Sequence, residues 1–155
     1  MTFRISALPS EPFLPLFALD DTALHAAGGR RVVADTKTGF PCRVSLADAE
    51  VGESLILVHW EHQPAPTPFR ASHAVYVREG ALPAWPAAGE VPASLSTRTL
   101  SLRGFDADDM MIVAELCKGV DAERAIPAML ADERVAYVHV HYARQGCYAA
   151  RVDRA

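Results

Sequence analysis

The residues most able to do chemistry in this chain are histidines, cysteines and arginines placed close to predicted turns and strand ends. His139-Val140-His141 is the sharpest local signal. In a strand, alternate side chains share a face, so both imidazoles point the same way and lie a few ångströms apart. Two neutral imidazoles so arranged suit a divalent transition metal, with further ligands available from His62, His73, Cys42 or Glu61. The spacing stops short of a full metal motif. No C-x-x-C or H-E-x-x-H occurs, and Tyr142, Ala143 and Arg144 follow where a cupin-like pattern would bring a Glu. The alternative is a half-buried sheet face on which the pair hydrogen-bonds to Tyr148 or to backbone.

Cys42-Arg43 forms a second constellation, in the Gly39-Phe40-Pro41 loop. A guanidinium beside a thiol favours the thiolate, and a His from the C-terminal hairpin would complete a nucleophile pair with His139 or His141 as general acid or base. The alternative is a small buried side chain anchoring a loop. A third group is Arg43, Arg70 and Arg144, with His73 close to Arg70 and Tyr148 close to Arg144. Guanidiniums converging on one pocket select a carboxylate or phosphate by two-point contact. The alternative there is ordinary solvated arginine paired with acids. Asp106, Asp108 and Asp109 lack the Gly and Glu that complete a calcium loop and read as a hairpin turn.

The elements that must position these groups follow from pattern. A chain of 155 residues, half of them hydrophobic and 22% charged, suits one domain with an ordinary core. Net charge is −4, and only Lys37 and Lys118 among fifteen basic residues are lysine, with no basic run, which excludes a nucleic-acid-binding face. No apolar run is long enough to span a membrane, and Met1 to Ile5 lack the layout of a secretory signal. Cys42, Cys117 and Cys147 lack framework spacing, so free thiols in a cytoplasmic setting are expected.

Prolines 9, 12 and 15 predict an extended arm over about residues 1–19 with at most a short helical turn. Asp20 or Asp21 caps a short helix that Gly28-Gly29 stops, and a strand begins at Arg31. Ser54–Trp60 reads as a central strand, Glu61–Pro68 as an exposed proline-rich loop, and Ala74–Arg78 as the next strand. Residues 80–92 are irregular, and Thr97–Phe105 and Met110–Cys117 are strands around an acidic turn. Asp121 caps an amphipathic helix that Pro127 kinks or delays. Val135–Tyr142 and Cys147–Asp153 form a hairpin. If residues 143–146 are the whole loop, His141 faces Tyr148 and Cys147 lies away from the imidazoles; a one-residue shift reverses that. The expectation is one α+β domain over 1–155, with a mostly antiparallel sheet and two or three short helices.

Read together, several of these stretches resemble an uncharacterised bacterial domain-of-unknown-function family (family 1203). They are Arg31–Asp35, Gly39–Ser45, Glu61–Pro64, Pro68–His73, Phe105–Met111, and Val138–His141 leading to Gly146-Cys147-Tyr148. Gln145 stands where the family pattern carries Pro. The resemblance implies a one-domain protein and supplies no chemistry. From residue types, the best reading is a binding or enzymatic domain for a small anionic metabolite, with an Arg/His-lined pocket from Arg43, His62, Arg70, His73, His139, His141, Arg144 and Tyr148, and Cys42 as nucleophile. The alternatives are a transition-metal-binding protein using His139 and His141, or an interaction module whose loops shape a partner surface.

Overall fold

Leu100 and Leu102 alternate with Ser101 and Arg103 along one strand, and Val138 and Val140 alternate with Tyr137, His139 and His141 along its neighbour. The aliphatic set goes to one side of a sheet and the polar and aromatic set to the other, and this division organises the molecule. A computed structural model describes residues 2–155. Its strands are β1 (Phe3–Ser6), β2 (Arg30–Val33), β3 (Ser54–Gln63), β4 (Ala71–Arg78), β5 (Thr99–Phe105), β6 (Met111–Lys118), β7 (Tyr137–Tyr142) and β8 (Tyr148–Arg154). Its α-helices are α1 (Leu14–Phe17), α2 (Asp21–Ala26), α3 (Ala93–Ser96) and α4 (Ala122–Leu130). The strands make a five-stranded sheet in the order β1-β8-β7-β5-β6 and a three-stranded sheet in the order β2-β3-β4, and every pairing is antiparallel. This is a single α+β domain, and no helix among the described residues is long and apolar enough to cross a membrane.

The aliphatic face of the large sheet carries α4. Ala122, Ile126, Met129 and Leu130 pack with Leu100, Leu102, Val138, Val140 and Val152 in one cluster. Pro127 lies inside α4 instead of delaying its start, and Asp121 makes no side-chain cap there. The opposite face meets the small sheet, where Ile56, Val58, Val75 and Val77 pack with Phe13, Leu24 and Tyr148. With both faces covered, all six residues of β7 are buried.

The early elements match their signals: the Asp20 carboxylate accepts from the Ala23 amide at the start of α2, and Gly28, at φ +82°, ends it. Other boundaries differ. The N-terminal stretch, expected as an extended arm with at most a short helical turn, contains β1, which pairs with β8, and then α1, bringing the short α-helices to four among the described residues. Proline-free residues 61–63, expected to open the exposed loop, instead extend β3 through Gln63, because β4 begins early enough to pair with them. A bulge there sets Glu61 opposite Ser72 and Gln63 opposite Ala71, leaving His62 as the extra residue.

Candidate functional site

The C-terminal hairpin closes with Tyr142 donating its amide to the Cys147 carbonyl at 2.9 Å, and Gly146 at φ +75° completes the turn. Residues 143–146 are therefore the loop, and His141 stands opposite Tyr148. A bulge at Ala149 then sets Val140 against Ala150 and His139 against Arg151. His139, His141 and Tyr148 face the small sheet together, and Cys147 lies away from them.

The bulge at His62 and the register of Trp60 with His73 bring two more imidazoles to that face from β3 and β4. The His62 and His73 rings stack with centroids 4.9 Å apart, and His141 meets them edge-on at 5.0 and 5.4 Å. One ring nitrogen each from His62, His73 and His141 lies within 4.8 Å of the others. Nε2 of His62 is 2.8 Å from Nδ1 of His73, so one of these nitrogens donates to the other. The His141 Nδ1–H donates to the Gly146 carbonyl at 2.9 Å, which leaves Nε2 as the lone-pair nitrogen. That Nε2 is buried with no hydrogen-bond partner among the described residues, as are Nδ1 of His62 and Nδ1 of His139.

The cluster is held neutral. Burial, with the nearby His73 and Arg103 charges behind it, lowers the His62 pKa to about 4. Burial, opposed by the Gly146 hydrogen bond and reinforced by Arg103 and neighbouring imidazoles, lowers that of His141 to about 3. His139 also falls to about 3, through burial first and then His62, Arg151 and Arg103. His73 is lowered by burial and by the charges of Arg103 and Arg43. Neutral imidazoles with free lone pairs are the form that binds metals.

His139 stands beside the triad with its ring 5.5 Å from His62 and outside the group of three nitrogens. The pair expected to share an ion, His139 and His141, has ring centroids 6.3 Å apart. Alternate residues of one strand are separated by two residue rises, about 6.6 Å, whereas imidazoles from facing sheets interleave more closely. Tyr148 stacks on His62 at 4.8 Å.

Sequence reasoning missed three residues at this site. Gln63 donates to the Tyr137 hydroxyl at 2.6 Å, and that hydroxyl donates to the Asp109 carboxylate at 2.6 Å, tying the end of β3 to the β5–β6 turn. Burial and the Asp109 carboxylate push the Tyr137 hydroxyl up to about 12. Arg103 lies across from His139 in the β5–β7 pairing. Tyr137 was legible as the next alternate position before His139; Arg103 needed the strand pairing.

The structure brings together His62, His73, His139, His141 and Tyr148 of the expected set. The others do not join the imidazole cluster. Arg70 is exposed and holds Glu61 through two nitrogens. Arg43 is 2% exposed and donates to the carbonyls of Tyr148 and Pro41 and, at 3.0 Å, to the Cys147 sulfur rather than to Cys42. Cys42 is buried, and its sulfur accepts from the amides of Ser45 and Arg78. Arg144 lines a cleft of about 490 Å³ with Thr38, Arg98 and Tyr142, and a cleft of about 210 Å³ opens beside Arg43 and Cys147. Tyr142 lines both clefts, and no imidazole lines either. Asp106 accepts from the amides of Asp108 and Met110, which is turn chemistry.

A family model described as Protein of unknown function (DUF1203) matches residues 39–154. The chain belongs to that family. The DUF1203 stretch contains the four clustered histidines, Arg103, Tyr137 and Tyr148, while β1, α1, α2 and β2 precede it. Neither a curated protein nor a solved structure matches the chain.

Proposed function

We propose that this chain is a transition-metal-binding domain in which His62, His73 and His141 hold one divalent first-row ion. The observation that carries the reading is the gathering of three imidazole nitrogens from two sheets within 4.8 Å of one another. On a tetrahedral ion with bonds of about 2.1 Å, ligand nitrogens stand about 3.4 Å apart. The His62–His73 contact opens slightly and the longest separation closes to reach that geometry.

Supporting it, the Gly146 carbonyl fixes the tautomer and orientation of His141, the outer-shell role that backbone acceptors play for ligating imidazoles. Three histidines leave coordination positions open, so the ion can take an exogenous ligand. The low pKa of His141 makes it a ligand rather than a general acid or base near neutral pH. Imidazole-only coordination suits zinc, copper, iron, nickel or cobalt over magnesium or calcium. A cytoplasmic location is proposed with it, supported by the three free cysteines.

Titration of the purified, chelator-treated chain with Zn(II) and with Co(II) tests the reading. One equivalent binds, and Co(II) gives the intense visible bands of a low-coordinate site. His141→Ala and His73→Ala each lower affinity by at least a hundredfold, whereas His59→Ala leaves it unchanged. Absence of stoichiometric binding, or equal binding by His141→Ala, removes the proposal.

A further inference from the structure

We propose that the histidine centre takes a small carboxylate as its ligand, bound by the metal through one oxygen and by Arg103 through the other. This rests on the metal reading above and adds the ligand class and a fourth functional residue.

Placement comes first. In the β5–β7 pairing, Arg103 lies opposite His139 and Ser101 opposite His141. Leu100 and Leu102, on the alternate face, sit in the cluster under α4, so Ser101, Arg103 and Phe105 share the face of the imidazoles. Phe105 confirms this by lying 5.0 Å from the His139 ring. Arg103 is half-buried, and its Nε–H reaches Ser101 Oγ, on the residue paired with His141.

The second observation is a missing counter-charge. Arg103 donates only to Ser101 Oγ, at 3.4 Å, and has no ion-pair partner among the described residues. Acids on the surrounding strands and turn are engaged with other groups: Glu61 with Arg70, Asp153 with Arg151, and Asp109 with the Tyr137 hydroxyl. Three neutral imidazoles leave a divalent ion its full charge. A partly desolvated guanidinium on the same face as that ion favours an anion, and an anion bridging the two offsets part of the charge of each.

Chemistry then separates carboxylate from phosphate. A phosphate is held by several donors, usually a turn of free backbone amides or a helix N-terminus. His62, His73, His139, His141, Arg103 and Tyr148 are all strand residues, and strands spend their amides on the ladder. One guanidinium fork and one metal offer two contact points, which the two oxygens of a carboxylate satisfy.

The test uses the full chain loaded with Co(II), its visible spectrum recorded before and during titration with acetate and, separately, with inorganic phosphate. Acetate shifts the bands in a saturable way and binds at least as tightly as phosphate. Arg103→Met keeps Co(II) affinity within about threefold and weakens acetate at least tenfold. Arg103→Lys, which keeps the charge without the fork, loses less. Arg144→Met, altered in the cleft lined by Thr38 and Arg98, matches the parent. Acetate binding unchanged in Arg103→Met overturns the assignment while the metal reading stands, and phosphate binding tenfold tighter than acetate overturns the carboxylate class. Failure of Co(II) to bind, read before any anion is added, overturns the metal reading and this assignment with it.

Discussion

His141 shows how one side chain is prepared by its neighbours: its Nδ1–H is spent on the Gly146 carbonyl, its Nε2 is buried, and burial keeps the ring neutral. The same neutrality has a consequence for the metal-free chain. Folded His139 and His141 hold a proton only near pH 3, against 6.5 for the ordinary side chain. As pH falls below about 6.5 the unfolded chain takes up protons that the folded chain refuses. Their contribution to stability is therefore complete above that pH and drains as pH falls toward 3. For each of the two rings the slope is about 1.4 kcal/mol per pH unit within the window. Urea unfolding of the metal-free chain at pH 7 and pH 5 checks this: the midpoint falls at the lower pH, and equal midpoints contradict it. At this scale the sequence was partly readable. Alternation alone placed His139 and His141 on one face, but the number of other imidazoles there depended on a second sheet.

At the scale of elements, two irregularities aim the site. The bulge at His62 and the one at Ala149 each insert one residue, and the tight Gly146 turn fixes where the β7–β8 register begins. Gly146 occupies a left-handed conformation, so Gly146→Val strains the loop by about 1–3 kcal/mol. It also displaces the carbonyl that orients His141. The variant is expected to unfold at lower urea and to bind Zn(II) at least fivefold more weakly; a stability loss with metal affinity intact would separate the turn from the site. The Gln63–Tyr137–Asp109 chain is the second structural tie. Tyr137→Phe leaves buried Gln63 without its acceptor and costs about 1–3 kcal/mol. Parent-like thermal unfolding of that variant would show the tie to be dispensable. The hairpin and the central strand were legible because alternation and turn residues are local signals. The strand character of Glu61–Gln63 was not, because it comes from pairing with β4 and the prolines that follow mask it.

For the whole molecule, the triad straddles two sheets, with His62 and His73 on the small one and His141 on the large one. A bound ion thus cross-links them, and an ion present at a hundredfold excess over its Kd stabilises the fold by about 2.7 kcal/mol. Zn(II) is expected to raise the thermal midpoint of the parent chain and leave that of His73→Ala unmoved; the same rise in both would place the stabilising ion elsewhere. Thiol titration under denaturing, non-reducing conditions should find Cys42, Cys117 and Cys147 all free. In the native chain buried Cys42 should react last, after the partly exposed Cys117 and Cys147.

Amino-acid pattern by itself determined the α+β class, most strand positions, the acidic turn and the shared face of the final two histidines. Each of these follows from periodicity or from residues that fix a local backbone conformation. Tertiary structure alone decided which groups meet. It joined β3 and β4 to the imidazole face of β7, sent Arg43 to Cys147 and Arg70 to Glu61, and placed Arg103 across from His139. The physical reason is that register across nonadjacent strands, and the packing of one sheet on another, are set by summed contacts over the whole chain, and no short stretch of sequence encodes them.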